Sequence, residues 1–532
     1  MASFPHSHDT GAFGGVVKRN FSGLWILAAT ILGSSMAFID STGVNVALPI
    51  LQEDLGASIS DLQWVINAYG LFLASLLLVG GALGDRLGRK RMFIVGIIIF
   101  TAASLWAGLS PNSTSLILAR ALQGVGGAIF VPGSLALIGA CFTDSERGSA
   151  IGTWSSASAL TTVAGPVLGG WLAETFSWRA VFFINIPIAV IVIAIAILRV
   201  PESRDEVTGA EIDWWGGTLA TLGLGGVVYG LTLATNVGFS DLAVIGSIAI
   251  GVAALIAFFV VESKAKHPMV PLNVFKNRSF TAANILTLLL YAALGGMIFF
   301  VPLNLVHVQG YSATAAGFAM LPFLVLIATI SRWSGGLVAK IGAKIPLTIG
   351  PLIVAGGLLL FTLPEIESPG FTTYLKTFFP AVAVMGLGMA ITIAPLVTVV
   401  MSTVDQRLSG LASGINNAIS RAAMLLAVAV MGVVSLFFFN GALDDQLVDR
   451  GVPQAIVDQL EGERVKLAGA EIPADLSEAN AVVIQRAIDE SFVDSFRRMM
   501  YLLAVLALGS ALVALAFIQT HPAHGEQYKA EA

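Results

Sequence analysis

Charge is what this chain has least of. Only 11% of its 532 residues are Asp, Glu, Lys or Arg, against about 25% in a soluble domain. So little charge cannot cover a water-facing surface, which excludes a soluble enzyme and a nucleic-acid-binding domain. There is one cysteine, Cys141, which excludes a disulfide framework and a cysteine-based metal cluster. The six histidines fall mostly in tails and loops. No GxxxxGK[ST] phosphate loop, nucleophile–base arrangement or filter-like repeat occurs. No enzyme activity, metal, cofactor or nucleic-acid partner is expected.

What the chain has is hydrocarbon: 56% of its residues are hydrophobic. A helix crosses the hydrocarbon core with about 20 apolar residues. Fourteen such stretches occur, near 22–48, 61–83, 92–109, 115–142, 148–172, 179–199, 213–234, 241–262, 280–307, 313–338, 345–363, 374–401, 410–439 and 497–519. The fold class is therefore an all-α polytopic membrane protein. Met1 to Asn20 reads as a polar tail lacking the short apolar core of a cleavable signal peptide. Lys and Arg favour the cytoplasmic side. With both termini inside, the inner segments collect Lys18, Arg19, Arg86, Arg89, Lys90, Arg91, Lys340 and Lys344, while the short outer loops hold Arg179 and Lys376. The segment 441–495 carries 12 of the 33 acidic residues against 4 basic ones. It reads as a small outer insert of two amphipathic helices, Pro453 to Leu467 and Ser477 to Phe496, covering the outer mouth.

The stretch from Gly81 to Arg91 (GALGDRLGRKR) is a glycine-rich basic hairpin between spans 2 and 3. It returns as Gly335 to Lys344 (GGLVAKIGAK), with Gly88 falling on Gly342 and Arg86 on Lys340, while Asp85 falls on Ala339. Two unrelated basic turns would look similar, but six spans around each copy and two between them give a 6+2+6 plan. Duplicated halves around a central site suit a transporter. The expected organisation is a tail (1–20), a six-helix bundle (21–200), a linker with two extra spans (201–270), five helices of a second bundle (271–440), the insert (441–495), the last helix (496–520) and a tail (521–532). Asp213 reads as a helix cap at the entry to span 7.

Asp40 lies well inside span 1. An ionised acid at that depth costs about 2.5–3.5 kcal/mol on insertion scales, and burial favours its neutral form. A group that can be neutral or charged is what proton coupling needs; the alternative is a structural acid bonded to Asn45 or to a helix backbone. Arg120 is the other deep charge of the first half. It keeps its proton, so it could attract an anion, hold Gln123 or a backbone carbonyl, or act on a nearby acid such as Asp40. Gly165, Gly169 and Gly170, with Pro166, permit close helix contact and a bend.

Four motifs carry a resemblance to the major facilitator superfamily, and within it to the fourteen-helix drug:proton antiporters of the QacA and EmrB type. They are the hairpin Gly81–Arg91, Ile117–Gly127 (ILARALQGVGG) in span 4, Gly165–Gly170 (GPVLGG) in span 5 and Asp40–Pro49 (DSTGVNVALP) in span 1. Gly43 stands where the family usually has a branched residue. The resemblance implies a major facilitator fold and a proton-coupled exporter of amphiphilic small molecules in the bacterial cytoplasmic membrane, driven by the proton gradient with no cofactor. It implies a proton-transfer role for Arg120 beside Asp40. It also implies a gate latch at the inner face. There Asp85 would meet the start of the helix near Ser409–Gly410, and Arg89 would meet Asp144 or Glu146, with Arg86 and Gly88 shaping the turn. The alternative is a topology signal alone.

Candidate cavity residues are Phe38, Asn45, Tyr69, Phe72, Gln123, Trp154, Tyr291, Phe299, Met320, Met389, Asn416, Asn417 and Arg421. Aromatic and methionine side chains suit flexible apolar ligands. One deep acid against two deep arginines, Arg120 and Arg421, disfavours dications and suits a neutral, monocationic or carboxylate-bearing amphiphile. The family often has Arg at position 421 followed by small residues, which Met424-Leu425-Leu426 replaces here. A dedicated exporter of one metabolite, antibiotic or lipid-like product is the alternative function. A periplasmic adaptor stays open, because EmrB-type exporters use one and QacA-type exporters do not.

Overall fold

The computed structural model describes residues 22–204, 213–265, 268, 270–404, 409–472 and 476–519. The tails expected at 1–20 and 521–532, and most of the polar linker before span 7, lie outside the described residues. Among the described residues every regular element is helical. The first half contains α1 (Ser22–Leu55), α2 (Ile59–Leu87), α3 (Arg89–Gly108), α4 (Ser113–Cys141) and α5 (Asp144–Thr175), then a sixth span divided into α6 (Ala180–Phe183) and α7 (Asn185–Arg199). The middle pair is α8 (Trp214–Val237) and α9 (Leu242–Lys264). The second half contains α10 (Arg278–Leu303), α11 (Ala313–Ala319), α12 (Leu321–Ile341), α13 (Lys344–Leu360), α14 (Phe371–Lys376) and α15 (Phe378–Ser402). It ends with α16 (Ser409–Asp449), α17 (Gln454–Leu460) and α18 (Glu478–Phe517).

Each of the fourteen apolar stretches is helical. Eleven described helices are long and apolar enough to cross a membrane, twelve when the bent α2 is taken as one span. The other two expected spans are α13, with 17 residues, and α5, with 32 and many Ser, Thr and Gly. Local chemistry sets several starts. Ser58 and Asp61 form a reciprocal capping box on α2, with Asp61 N donating to Ser58 Oγ at 3.1 Å and Ser58 N to Asp61 Oδ2 at 3.0 Å. Asn112 caps α4, and Asp213 caps α8 as expected, accepting from Gly216 N at 2.7 Å.

In the first half α1 packs on α5, and α4 on α2 and α3; in the second, α16 packs on α10, and α15 on α12 and α13. The middle pair leans on α2 and α16, one helix from each half, through α8. Leu71, Ala74, Val228, Leu425 and Ala429 make their shared core. The internal repeat has a backbone counterpart. Gly88 ends α2 at φ 113° and Gly342 ends α12 at φ 77°, conformations that favour glycine.

The insert differs from expectation. The chain does not break at 440 or at 495, because α16 runs on to Asp449 and α18 runs unbroken from Glu478 to Phe517. Phe439, Leu443 and Leu447 of α16 and Ile484, Ile488 and Phe492 of α18 are all buried in one apolar cluster. The spacing of four residues keeps each stripe on one helix face, so the two helices stay paired past the apolar spans. Between them lie α17 and a 3₁₀ turn, Arg464–Gly469, in place of the longer helix expected over Pro453–Leu467.

Candidate functional site

Asp40 of α1 and Arg120 of α4 are both buried inside the first half and pair directly, Arg120 Nη1 to Asp40 Oδ2. The same Nη1 donates to Gln123 Oε1 at 2.9 Å, and Arg120 Nε donates to the Val65 carbonyl of α2 at 3.0 Å. Gln123 Nε2 donates to Asp40 Oδ1 at 3.1 Å and to Ser104 Oγ of α3 at 2.7 Å. Asn185 of α7 donates to the same hydroxyl at 3.2 Å. The Tyr69 ring lies 4.4 Å from the guanidinium, close enough for a cation–π contact. Five helices thus converge on one ion pair. Removing one member of a buried pair costs about 3–5 kcal/mol, because the other charge is left uncompensated. Asn45 is not the partner of Asp40: its amide donates to Ser41 O at 2.7 Å.

The small residues of α5 serve two contacts. On one face Gly165 and Gly169 lie against Thr42 and Gly43 of α1, where any Cβ on Gly169 would enter the Gly43 backbone. Gly43 is what lets α1 approach so closely, since a Cβ there would fall 3.1 Å from the Gly165 carbonyl oxygen. Near this seam Trp154 donates to Ser34 Oγ at 3.1 Å and meets Phe38 edge-on, ring centroids 6.4 Å apart.

The other face of α5 meets the second half. A Cβ on Gly170 would fall 2.8 Å from the Ala313 carbonyl carbon of α11, and one on Gly317 would fall 2.8 Å from that of Pro166. Glu174 Oε2 accepts from Thr314 N at 2.9 Å. Alongside, Gln63 of α2 donates to Val428 O of α16 at 2.7 Å, and Leu425 fills the space beside Gly70. Asn67 lies between Gln63 and Gly70 on the same helix face and is buried. Gln52 of α1 donates to Lys466 O of the insert at 3.0 Å, and Glu53 lies 3.7 Å from His307. All these contacts between halves lie toward the end that bears the insert. Toward the hairpin end Ile151, Thr153 and Leu160 of α5 and Asn417 of α16 are exposed. Among the described residues, the halves are closed on each other at the insert end and open at the hairpin end.

At the hairpin Asp85 and Arg89 bond to each other, Nε to Oδ1 at 2.8 Å. Of the partners expected for a latch, Glu146 accepts from Thr143 Oγ1 at 2.7 Å, and the Asp144 side chain and the residues before Ser409 lie outside the described residues. Arg86 is exposed. A residue the sequence reading missed organises this turn. Glu202, just past α7, accepts from Lys90 N at 3.0 Å and Arg91 N at 3.2 Å, a carboxylate on the N-terminus of α3. An acid just past span 6, facing a basic turn, was the available signal. Ser104 and Asn185 were missed as well, and nothing local marks them.

Several expected cavity residues lie elsewhere. Gln123 is fully buried in the Asp40 network. Asn416 sits in the α10–α16 seam, donating to Asn284 Oδ1 at 3.1 Å and Thr287 Oγ1 at 2.7 Å. Phe299 packs on Phe300 inside the second half, and Met320 and Met389 are buried there too. Tyr69 is buried beneath Arg120, and Asn45 is buried on α1. Phe38, Phe72, Trp154, Tyr291 and Arg421 are half-buried, and Asn417 is exposed. A separate apolar groove of about 840 Å³, lined by Tyr311, Phe318, Pro322, Phe371 and Phe379, opens on the flank of the second half. Among the described residues no group of three His, Cys, Asp or Glu side chains converges as metal ligands would.

Known proteins share this plan. The profile of the Major Facilitator Superfamily matches residues 30–428. The tetracenomycin C resistance and export protein of Streptomyces glaucescens is 31% identical over 96% of this chain and 95% of its own. The multidrug transporter protein MdtP of Bacillus subtilis is 32% identical over 80% of this chain and 77% of its own. Among solved structures, a bacterial homologue of the human lysosomal transporter Spinster superposes with a TM-score of 0.62 at 16% identity, over 92% of this chain and 96% of that one. The chain is a multi-span membrane transporter, not an enzyme, and belongs to the Major Facilitator Superfamily, alongside its multidrug and antibiotic exporters.

Proposed function

We propose that this protein is a proton-coupled antiporter that exports lipophilic or amphiphilic small molecules across the bacterial cytoplasmic membrane by alternating access. Both termini and the hairpin face the cytoplasm, following the excess of Lys and Arg on that side. The observation that carries the reading is the pairing of Asp40 with Arg120 inside the first half of a bundle whose two halves, among the described residues, touch toward the insert end. A proton on Asp40 would neutralise one member of the pair and free Arg120. The strain would reach Val65, and with it α2, which forms part of the seam with α16. With the cytoplasmic end open, the Asp85–Arg89 pair stands ready to latch when that end closes. No cofactor enters; the proton gradient drives the cycle.

A second reading has its own support. The tetracenomycin C resistance and export protein is named for one antibiotic, and a dedicated exporter of a single product would share this architecture. An adaptor across the periplasm would engage the insert in either case. Efflux of a panel of lipophilic dyes and drugs, with and without a protonophore, in wild type and Asp40→Asn, tests both. Protonophore-sensitive efflux of many compounds, lost in Asp40→Asn, is expected. Efflux indifferent to both perturbations refutes proton coupling, and efflux of one compound alone selects the dedicated exporter.

A further inference from the structure

The two deep arginines stand in opposite conditions. Arg120 is buried with Asp40, Gln123 and the Val65 carbonyl around it. Arg421, midway along the apolar part of α16, has no hydrogen bond or ion pair among the described residues. Its electrostatic neighbour is Tyr69, buried in the first half. A guanidinium carries five donors and accepts nothing. Left unpaired at membrane depth such a charge is costly, and an intramembrane ionisable residue marks a functional position.

Arg421 is placed to receive something. It lies one helical turn from Leu425, on the hairpin side of the last seam contact, Leu425 with Gly70. Asn417 lies one turn further toward the open end, on the same face, and is exposed. Its Nδ2 donates to Ser413 O at 3.0 Å, which leaves its carbonyl and one amide hydrogen for a ligand. The Tyr69 hydroxyl is sealed inside the first half, 3.7 Å from where a Cβ on Gly127 would lie, and does not reach the gap. The deep acid that could have cancelled this charge is held by Arg120. The exposed face of α16 is therefore cationic, with donors at Arg421 and Asn417.

We infer that Arg421, with Asn417 beside it, is an anion subsite of the transport cavity, and that the exported cargo carries a carboxylate or ionised phenol on an apolar ring system. This rests on the exporter reading and names the charge of its substrate. A planar guanidinium matches a carboxylate with two parallel bonds, so orientation as well as affinity is set there. The half-buried aromatic side chains of the cavity take the apolar remainder.

Two xanthene dyes of nearly one shape test this: fluorescein, an anion, and rhodamine 123, a cation. Binding is read by fluorescence anisotropy with the full-length protein in nanodiscs, and transport is read separately in energised inverted vesicles. Wild type should bind fluorescein more tightly than rhodamine 123. Arg421→Gln should weaken fluorescein binding about tenfold or more, as loss of a charged hydrogen bond does, and leave or improve rhodamine 123. Arg421→Lys, which keeps the charge, should recover part of the loss. No binding of fluorescein by wild type, binding unmoved by Arg421→Gln, or an equal loss for both dyes overturns the subsite. Arg421-dependent binding without transport of either dye leaves the subsite standing and counts against the exporter reading.

Discussion

Replacing Gly170 with alanine should open the insert end of the seam. The added Cβ would fall 2.8 Å from the Ala313 carbonyl carbon and 3.1 Å from the Thr314 Cα, and closer still to the Ala313 oxygen. These are backbone atoms of the opposite half, so no rotamer change relieves the clash. Carbon atoms rest about 3.5–4.0 Å apart, so α5 and α11 must separate by about 1 Å. Overpacking of this kind costs about 1–3 kcal/mol. The cost falls on the closed seam alone, because the two backbones part when the seam opens. The balance between closed and open forms should then shift about 5- to 150-fold, since only differential stability moves a two-state population. Cys141 is the single cysteine, so Cys141→Ser gives a clean background for Asn67→Cys, a reporter buried in the seam. Its alkylation by a membrane-impermeant maleimide should accelerate by that factor in Gly170→Ala and in Gly317→Ala. Gly152→Ala is the control on α5, since nothing lies within 4 Å of its Cβ position. Equal rates in all three variants would refute the closed seam as the state-determining contact.

Asp40→Asn should destabilise the purified protein by about 3–5 kcal/mol by stranding Arg120, and Asp40→Asn with Arg120→Gln together should recover much of it; thermal melts in detergent compare the two. Glu202→Gln should cost about 0.5–2 kcal/mol, as lost helix caps do, seen as faster hydrogen exchange at the amides of Lys90 and Arg91. Acid should loosen the insert. Burial pushes the Glu463 carboxyl up, but bonds from Lys466 Nζ at 2.9 Å and Glu471 N at 3.0 Å hold it below its ordinary 4.5. A lowered carboxyl contributes stability that is present above 4.5 and lost as pH falls through the lower folded value. Proteolysis of residues 461–471 should therefore rise below that pH in wild type and show no such step in Glu463→Gln.

The spans were legible in the sequence because hydropathy and charge are local properties, and each apolar run carries its own signal. Asp40 and Arg120 stood out for the same reason, as charges where the hydrocarbon should allow few. Their partners were less legible. Arg120 meeting Asp40 was one option among several, and Ser104 and Asn185 reach the network from α3 and α7, where no local pattern marks them. Gln123 and Asn416 are polar residues within spans, and sequence alone does not tell a lining position from a helix–helix seam. The insert misled because a drop in hydropathy was read as an end of helix. The apolar stripes of α16 and α18 continue at helical spacing past the membrane, where they bury each other instead of meeting lipid. Gly170 and Gly317 show the general limit: glycine patterns announce close contact without saying which helix is contacted.

The length of α18 has a mechanical consequence. Its first 19 residues, Glu478 to Phe496, precede the apolar part and at 1.5 Å each extend about 28 Å. They are rigid with the part that packs on α10 and α13. A tilt of the second half by about 10° would sweep the tip sideways by about 5 Å, given that length. The insert is thus a pointer on a lever, amplifying small rotations at the cavity into a displacement outside the membrane. Whatever grips that pointer, a binding protein or a tethered neighbour, would feel the transport cycle and could also stall it.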